Sequence, residues 1–299
     1  MSHRWTAFVL IVAVACKKPP GGDKPTPGSD QAGSGSSTQP AAPPPPASWK
    51  IDSQPVELMC GEKPLTLPAP AAASPKGDRA LPHADAIRTC QDQASVAAVC
   101  DCLTKSIKDW GGSLGLSPAV QCEVQTPAQP DAQLVEVSST PADDSTSGGE
   151  AFVFVAKHGA TWSPVAVIEG APDVDLSITP KASHTAKIDR VEAHAIASGS
   201  LYWIESHHEA QDKSMGESER EGEAHGTVCT VPTGASPWCG APLVRGAWTY
   251  TYSLAKADQP DACTITKVST YAATLDPTSV TVRLVHGSDE DGVAGRYTR

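Results

Sequence analysis

The chain has 299 residues, a formal net charge of −11 at pH 7 and 39% hydrophobic residues. This length allows one large domain or two modest ones. The negative charge excludes nucleic-acid binding, because phosphate backbones would be repelled, and it disfavours peripheral binding to anionic lipid. With 27 prolines, 24 glycines and only 5% aromatic residues, the composition favours short strands and many turns over a helical bundle.

Residues 1–15 have the organisation of a signal peptide. Arg4 supplies the positive charge, and residues 5–15 are an apolar run that is too short to span a bilayer. The run ends in Ala13-Val14-Ala15-Cys16, in which small residues precede a cysteine. This segment resembles the lipobox of bacterial lipoproteins, although Ala13 stands where that family prefers Leu.

The lipobox resemblance implies cleavage before Cys16, a diacylglyceryl thioether on its sulfur, and acylation of its amino group by a chain such as palmitate. Several acyl chains anchor a protein firmly, whereas one chain binds only marginally. The next residue is Lys17 and not Asp, which in this family favours the outer membrane over the inner membrane. The expected partner of Cys16 is therefore the lipid bilayer.

Residues 16–48 are predicted to be a disordered tether that follows the lipidated cysteine. The segment is rich in Pro, Gly and Ser and cannot bury enough apolar surface to offset its ordering entropy. A bound proline-rich ligand segment is the alternative interpretation. The predicted organisation is a signal peptide at 1–15, the tether at 16–48, a cysteine-rich helical subdomain at 49–125 and an antiparallel β body at 126–299.

Eight cysteines follow the lipobox, and an even number in an exported chain indicates four disulfides. Five precede residue 130 and three follow residue 225, so that complete pairing requires at least one bridge between the two halves. Cys229 and Cys239 flank a Pro/Gly-containing turn and are expected to pair locally. The eight are Cys60, Cys90, Cys100, Cys102, Cys122, Cys229, Cys239 and Cys263.

The N-terminal part is predicted to be helical over residues 83–110, either as one helix or as two pieces that meet near Asp92. Apolar residues recur at helical spacing over 95–110, with Cys100 on the apolar face. Cys102 points about 200° away from Cys100, which favours two different disulfides over the alternative of one zinc site. A G-x-S-x-G motif at 111–115 follows this helix, so we interpret it as a helix stop and not as a nucleophile elbow.

The region after Cys122 has the alternation of a β protein. Strands that follow one another at short spacing predict a mainly β fold, an antiparallel sandwich or a barrel-like body, with a small disulfide-linked α-helical N-terminal part. Residues 209–225 are predicted to be a solvated charged loop, with a calcium site there or at 289–292 as the alternative. The predicted strands are 56–59, 133–138, 151–157, 160–168, 188–197, 200–208, 226–231, 246–255, 262–271 and 279–285.

The second predicted hairpin carries a candidate metal site. A two-residue turn at Ser198-Gly199 would pair Ala195 with Tyr202 and leave one face of the hairpin with two histidines and two glutamates. Such a set could bind Zn²⁺, and the alternative is a solvated face with cross-strand Arg/Glu and His/Trp pairs. The four residues are His194, His207, Glu192 and Glu205.

The whole layout resembles that of predicted lipoproteins of Gram-negative bacteria. This resemblance implies a cell-envelope protein anchored in the outer membrane, with its body in the periplasm or at the cell surface. We favour a non-enzymatic module that binds an envelope protein or a small ligand and needs no cofactor. The alternatives are a metal-dependent envelope hydrolase that uses the four-residue face, with Glu192 as a possible base, and a structural component of the envelope.

Overall fold

The computed structural model describes residues 49–72, 76–107, 119–125, 129–140, 150–170, 183–214, 217–256, 259 and 262–299. The proposed signal peptide and tether lie outside these residues, as does the motif at 111–115. Among the described residues, no helix is both long and apolar enough to cross a membrane.

The described residues are mainly β, which confirms the predicted fold class at this level. One α-helix is present among them, α1 (Val96–Ile107), together with a 3₁₀ turn at Leu254–Lys256. The strands are β1 (Ile51–Ser53), β2 (Met59–Cys60), β3 (Lys63–Pro64), β4 (Lys76–Ala80), β5 (Ala119–Gln125), β6 (Ala132–Thr140), β7 (Glu150–His158), β8 (Thr161–Gly170), β9 (Ser183–Ile196), β10 (Gly199–Ser214), β11 (Glu217–Pro232), β12 (Trp238–Cys239), β13 (Leu243–Ser253), β14 (Cys263–Leu275), β15 (Ser279–Gly287) and β16 (Gly295–Thr298).

Most strands belong to a large sheet with the order β4-β16-β15-β14-β13-β11-β10-β9, to which β1 is added beside β14 and β12 beside β11. Its ladders are antiparallel except for the parallel pair β16–β4. The sheet bends so that β9 comes close to β1: Arg190 on β9 donates to the carbonyl oxygen of Asp52, and His194 stacks on Trp49. A small sheet, β5-β6-β7-β8, is an antiparallel meander, and β2 pairs with β3.

The small sheet packs between the large sheet and the helix. On one face, Phe154 and Ile168 are buried against Tyr202 and Ile204 of β10. On the other face, valines of β6 and β7 pack against the apolar side of α1, whose Val99 is fully buried. Removal of this apolar surface from water, at about 25 cal/mol per Å², is what holds the three layers together.

The predicted helical N-terminal part is wrong for residues 83–95. These residues form isolated bridges, in which Ala86 pairs with Ala166 and Gln93 with Trp162 on β8, and His83 pairs with Gly240. Cys90 and Asp92 have φ angles of 61° and 56°, which a right-handed helix does not contain. The helix begins after Ser95, whose hydroxyl accepts a hydrogen bond from the backbone N–H of Ala98 at 3.1 Å and so caps its first turn.

The charged loop predicted at 209–225 is also wrong, because β10 continues to Ser214 and β11 begins at Glu217. On β11, Ser218, Gly222 and Ala224 are buried and alternate with exposed glutamates. Alternation with a period of two is typical of a strand with one buried face, and here the glutamates lie on the other, exposed face. The high charge concealed this pattern, since the residues on the buried face are small and not strongly apolar.

All eight cysteines of the described residues are paired in four disulfides: Cys60–Cys263, Cys90–Cys102, Cys100–Cys122 and Cys229–Cys239. The first bridge joins the two halves of the chain, and the last is the local pair expected from the sequence. The neighbouring helix cysteines, Cys100 and Cys102, form two different bridges, as their angular separation predicts. The described residues form one compact unit, in which β5 and β6 pair across the proposed boundary at 125–126.

Candidate metal centre

The second hairpin has a register that differs from the predicted one. The structure pairs Ala195 with Ser200 and Tyr202 with Ala193, and the turn lies at residues 197–198. The pairing is displaced by two residues, which leaves each side chain on its predicted face because side chains alternate with a period of two. Near its other end, β9 contains one extra residue, Asp189, between the partners of Glu205 and Ser206.

The structure does not bring the four residues of the sequence-predicted metal site to one point. The Arg190 guanidinium lies between Glu192 and Glu205 and contacts both carboxylates. His194 Nε2 is 3.4 Å from Oε2 of Glu192, whereas Arg190 contacts Oε1 of the same carboxylate. His207 bonds to Asp189, with Nδ1 2.8 Å from Oδ2. A fixed guanidinium thus neutralises the carboxylates that a metal ion would need.

Glu205 is further committed to a buried ion pair. Arg245 Nη1 lies 3.0 Å from its Oε2, and Trp203 Nε1 donates to its Oε1 at 2.8 Å. The side chains of Arg245 and Glu205 are both almost fully buried. Burial of a charge is costly unless the charge is paired and hydrogen-bonded, and this arrangement satisfies both requirements.

A different cluster of ligand-type side chains lies between the two sheets. Glu169 on β8 faces His208 on β10 and His225 on β11. His208 Nδ1 is 3.1 Å from Glu169 Oε1, and His225 Nδ1 is 2.8 Å from Oε2. Among the described residues, these three form the group of metal-ligand-type side chains that converges, with one ligand atom from each residue within 4.8 Å of the others.

Local strand geometry explains how the three side chains meet. On β10, Tyr202, Ile204, Ser206 and His208 alternate onto the face that packs against the small sheet. On β8, Glu169 pairs with Phe152 while Val167 pairs with Val153, so that Ile168 is an extra residue and forms a bulge. A bulge resets the alternation of a strand, and here it lets Glu169 follow Ile168 toward the large sheet.

Glu169 is held as a buried carboxylate, with only 4% of its side chain exposed. Burial by itself would raise its pKa, but hydrogen bonds from His208, His225 and Ser206, together with the charge of His225, lower the pKa to about 2. The hydrogen bond to Glu169 raises the pKa of His208 against the effect of burial. The cluster therefore keeps an anionic oxygen ligand in place well below neutral pH.

Outer contacts fix the orientation of these side chains. Ser206 Oγ donates to Glu169 Oε2 at 2.9 Å, and the backbone N–H of Gly170 donates to Oε1 at 3.2 Å. On the side away from Glu169, His225 Nε2 is 3.4 Å from Glu223 Oε2. A carboxylate on the second ring nitrogen is typical of metal-ligating histidines, whose tautomer and orientation it sets.

Two imidazole nitrogens and a carboxylate oxygen are donors that suit Zn²⁺ and similar divalent ions, with a fourth position left for water or another ligand. The histidines give access from solvent, since 23% of the His208 side chain and 13% of the His225 side chain are exposed. The arrangement can thus hold a cation at a partly sheltered site between two sheets.

Sequence reasoning missed all three residues of this cluster. His208 closed a predicted strand and alternates with Tyr202, Ile204 and Ser206, a signal that could have placed it on the buried face. His225 was assigned to the charged loop. Glu169 directly follows a predicted strand, and only the bulge at Ile168 and the packing of two sheets bring it to the histidines.

The fold and this site define a disulfide-bonded, mainly antiparallel β protein with a His–Glu–His cluster between two sheets. No protein-family model matches the sequence, and no curated protein or solved structure matches the chain.

Proposed function

We propose that this chain is an exported lipoprotein, anchored in a bacterial outer membrane through Cys16, whose β body is a binding module of the cell envelope. The observation that carries the proposal is the pairing of the eight other cysteines with one another. Disulfides persist in oxidising compartments outside the cytosol. The other eight cysteines are paired with one another, so none is left to form a disulfide with Cys16. This agrees with acylation of the Cys16 sulfur.

The order of segments supports the same proposal. A charged and apolar leader, the lipobox-like residues 13–16 and a Pro/Gly/Ser-rich stretch precede the body. Such a stretch would hold the body away from the bilayer, in the periplasm or at the cell surface. The body would then be free to bind a small ligand or an envelope protein.

The test is expression of the full-length chain in a Gram-negative host, followed by detergent-phase partitioning and mass spectrometry of the N-terminal peptide. We expect the chain to begin at Cys16, to carry a diacylglyceryl group and an amide-linked acyl chain, and to enter the detergent phase. Cys16→Ser is expected to abolish acylation and to leave the protein in the aqueous phase. An unprocessed N-terminus, or an unmodified Cys16 in the wild-type protein, would refute the proposal.

The proposed outer-membrane location is tested by a matched pair of variants. Lys17→Asp is expected to leave acylation intact and to move the protein to the inner-membrane fraction on a density gradient. Lys18→Asp makes the same charge change one residue further on and is expected to leave the protein in the outer membrane. Equal distribution of the two variants would contradict outer-membrane sorting through Lys17.

A further inference from the structure

We propose that Glu169, His208 and His225 bind one divalent transition-metal ion, of the chemistry of Zn²⁺, at the junction of the two sheets. This inference rests on the proposed binding function of the β body and names its ligand. It involves none of the four residues that the sequence singled out as metal ligands. It is also separate from the lipid anchor, which has its own test.

One ligand atom from each of the three residues lies within 4.8 Å of the other two. Zinc–nitrogen and zinc–oxygen bonds of about 2.0–2.1 Å in a tetrahedron place neighbouring ligand atoms about 3.3 Å apart. The two Nδ1 atoms lie 3.1 Å and 2.8 Å from the nearest oxygens of Glu169. The two nitrogens face different oxygens of Glu169, so side-chain rotations must bring one ligand atom from each residue around a single ion.

The two histidines present the same nitrogen, Nδ1, to Glu169, and their ring centroids are 5.7 Å apart. When the ion binds at Nδ1, a ring with hydrogens on both nitrogens releases the Nδ1 hydrogen to solvent, whereas a ring with a hydrogen only on Nδ1 exchanges it for one on Nε2. His225 then carries its hydrogen on Nε2, where Glu223 is placed to accept it. The carboxylate already present on that side means that the metal-binding tautomer of His225 needs no new partner.

A cluster with a purely structural role would look different in its response to metal. Glu169 is satisfied by hydrogen bonds from His208, His225 and Ser206, and this network alone could join the two sheets. Such a network would bind no ion in stoichiometric amount. Measurement of metal binding, and of how it depends on each ligand residue, therefore distinguishes the two roles.

The experiment is calorimetric titration of the chelator-treated full-length protein with Zn²⁺ alone, in detergent. We expect one Zn²⁺ per chain. His208→Ala and His225→Ala are each expected to weaken binding by on the order of 100-fold or more, because a direct ligand contributes at least as much as an outer-shell partner. His194→Ala and His207→Ala are the matched controls, since they remove histidines of β9 and β10 that do not contact Glu169, and they are expected to leave the affinity unchanged.

A second pair of variants tests the outer contact. Glu223→Gln is expected to weaken Zn²⁺ binding by about 10- to 100-fold, because it replaces the carboxylate that orients His225. Glu221→Gln makes the same change two residues away on the same exposed face of β11 and is expected to have no effect. A structural role for Glu223, unconnected with metal, would leave the affinity the same in both variants.

Binding of Co²⁺ at the same site supplies a spectroscopic check that does not depend on affinity. Coordination by two imidazoles, one carboxylate and water is expected to give the visible absorption of a tetrahedral ion. His225→Gln is expected to abolish this absorption. Circular dichroism shows whether each variant is folded, and Glu169→Gln replaces any histidine variant that is not.

Three results would overturn the proposal: no stoichiometric Zn²⁺ on the wild-type protein, Zn²⁺ binding that survives in folded His208 and His225 variants, or binding lost in the two control variants. None of these results affects partitioning of the protein into detergent. Failure of the metal site is therefore distinguishable from failure of the lipid anchor.

Discussion

At the scale of single residues, Glu169 is central both to the candidate metal centre and to the stability of the metal-free protein. Its carboxylate is almost completely buried, yet hydrogen bonds from two histidines and Ser206 hold its pKa at about 2. Charged hydrogen bonds of this kind are stronger than neutral ones and compensate for the loss of hydration. The same contacts that make Glu169 a candidate ligand thus also make it a stabilising group in the metal-free protein.

The lowered pKa of Glu169 predicts a specific dependence of stability on pH. Its contribution to the free energy of unfolding is fully present above the unfolded pKa of 4.5 and is lost as the pH falls through about 2. A difference of this size corresponds to about 3 kcal/mol. Chemical denaturation of the metal-free protein should show Glu169→Gln to be less stable than wild type at pH 6, with a gap that closes toward pH 2.

The contribution of His208 to stability has the opposite dependence on pH. Because its pKa is raised in the folded protein, its contribution is fully present below 6.5 and is lost as the pH rises through the folded pKa. Wild-type stability should therefore decline on the alkaline side as well, and less so in Glu169→Gln. Glu219→Gln, an exposed change on β11, is the control, and a gap that persists at pH 2 in Glu169→Gln would contradict the assignment.

At the scale of elements, β11 carries glycines that face large aromatic residues of its two neighbours, β10 and β13. Trp203 on β10 covers Gly226, and Trp248 on β13 covers Gly222. The glycines leave room for indole rings directly over the backbone, which is how aromatic side chains are packed into a strand rich in charge. The spacing of small residues on β11 is a consequence of this packing and not of turn formation.

The packing of Trp203 predicts that Gly226→Ala destabilises the fold. A Cβ at this position would overlap the six-membered ring of Trp203, and the ring has no space to move because it is fully buried. We expect a loss of about 1–3 kcal/mol in the free energy of unfolding, as for other overpacked sites. Gly77→Ala is the matched control, since a Cβ there meets no atom within 4 Å; equal effects of the two would contradict the prediction.

At the scale of the whole molecule, disulfides connect distant parts of the chain to the large sheet. Cys60–Cys263 ties the N-terminal segment to β14 across 203 residues, whereas Cys229–Cys239 closes a turn of 10 residues. In the chain-entropy description, a bridge stabilises by restricting the unfolded chain, and more so when the loop it closes is longer. The two bridges should therefore differ in their contribution to stability.

We expect the double variant Cys60→Ser/Cys263→Ser to lose about 5 kcal/mol and Cys229→Ser/Cys239→Ser about 3 kcal/mol of the free energy of unfolding, from the logarithm of the two loop lengths. Guanidinium denaturation of the two proteins measures the difference. Each variant keeps six cysteines in three bridges, which a thiol assay confirms before comparison. A larger loss from the short loop would show that strain or local packing outweighs the entropy of the unfolded chain.

The sequence predicted much of the β body because short strands and turns are encoded locally. Alternation and the glycine turn at 159 place β7 and β8 within a few residues of their observed bounds, and helical spacing separates Cys100 from Cys102. Where local signals were weak the prediction was wrong. Residues 83–95 have apolar residues at helical spacing but form isolated bridges to β8 and to Gly240. Residues 209–225 have small residues on the buried face of β11.

The sequence by itself determined the mainly β class, the even set of pairing cysteines and the local bridge between Cys229 and Cys239, since each depends on composition or on near neighbours. Only the tertiary structure decided the candidate metal centre. Glu169 is 39 residues from His208 and 56 from His225, and the three meet through a bulge, a strand pairing and the packing of two sheets. Contacts of that range depend on which faces are buried together, a property of the folded chain that no local pattern of residues specifies.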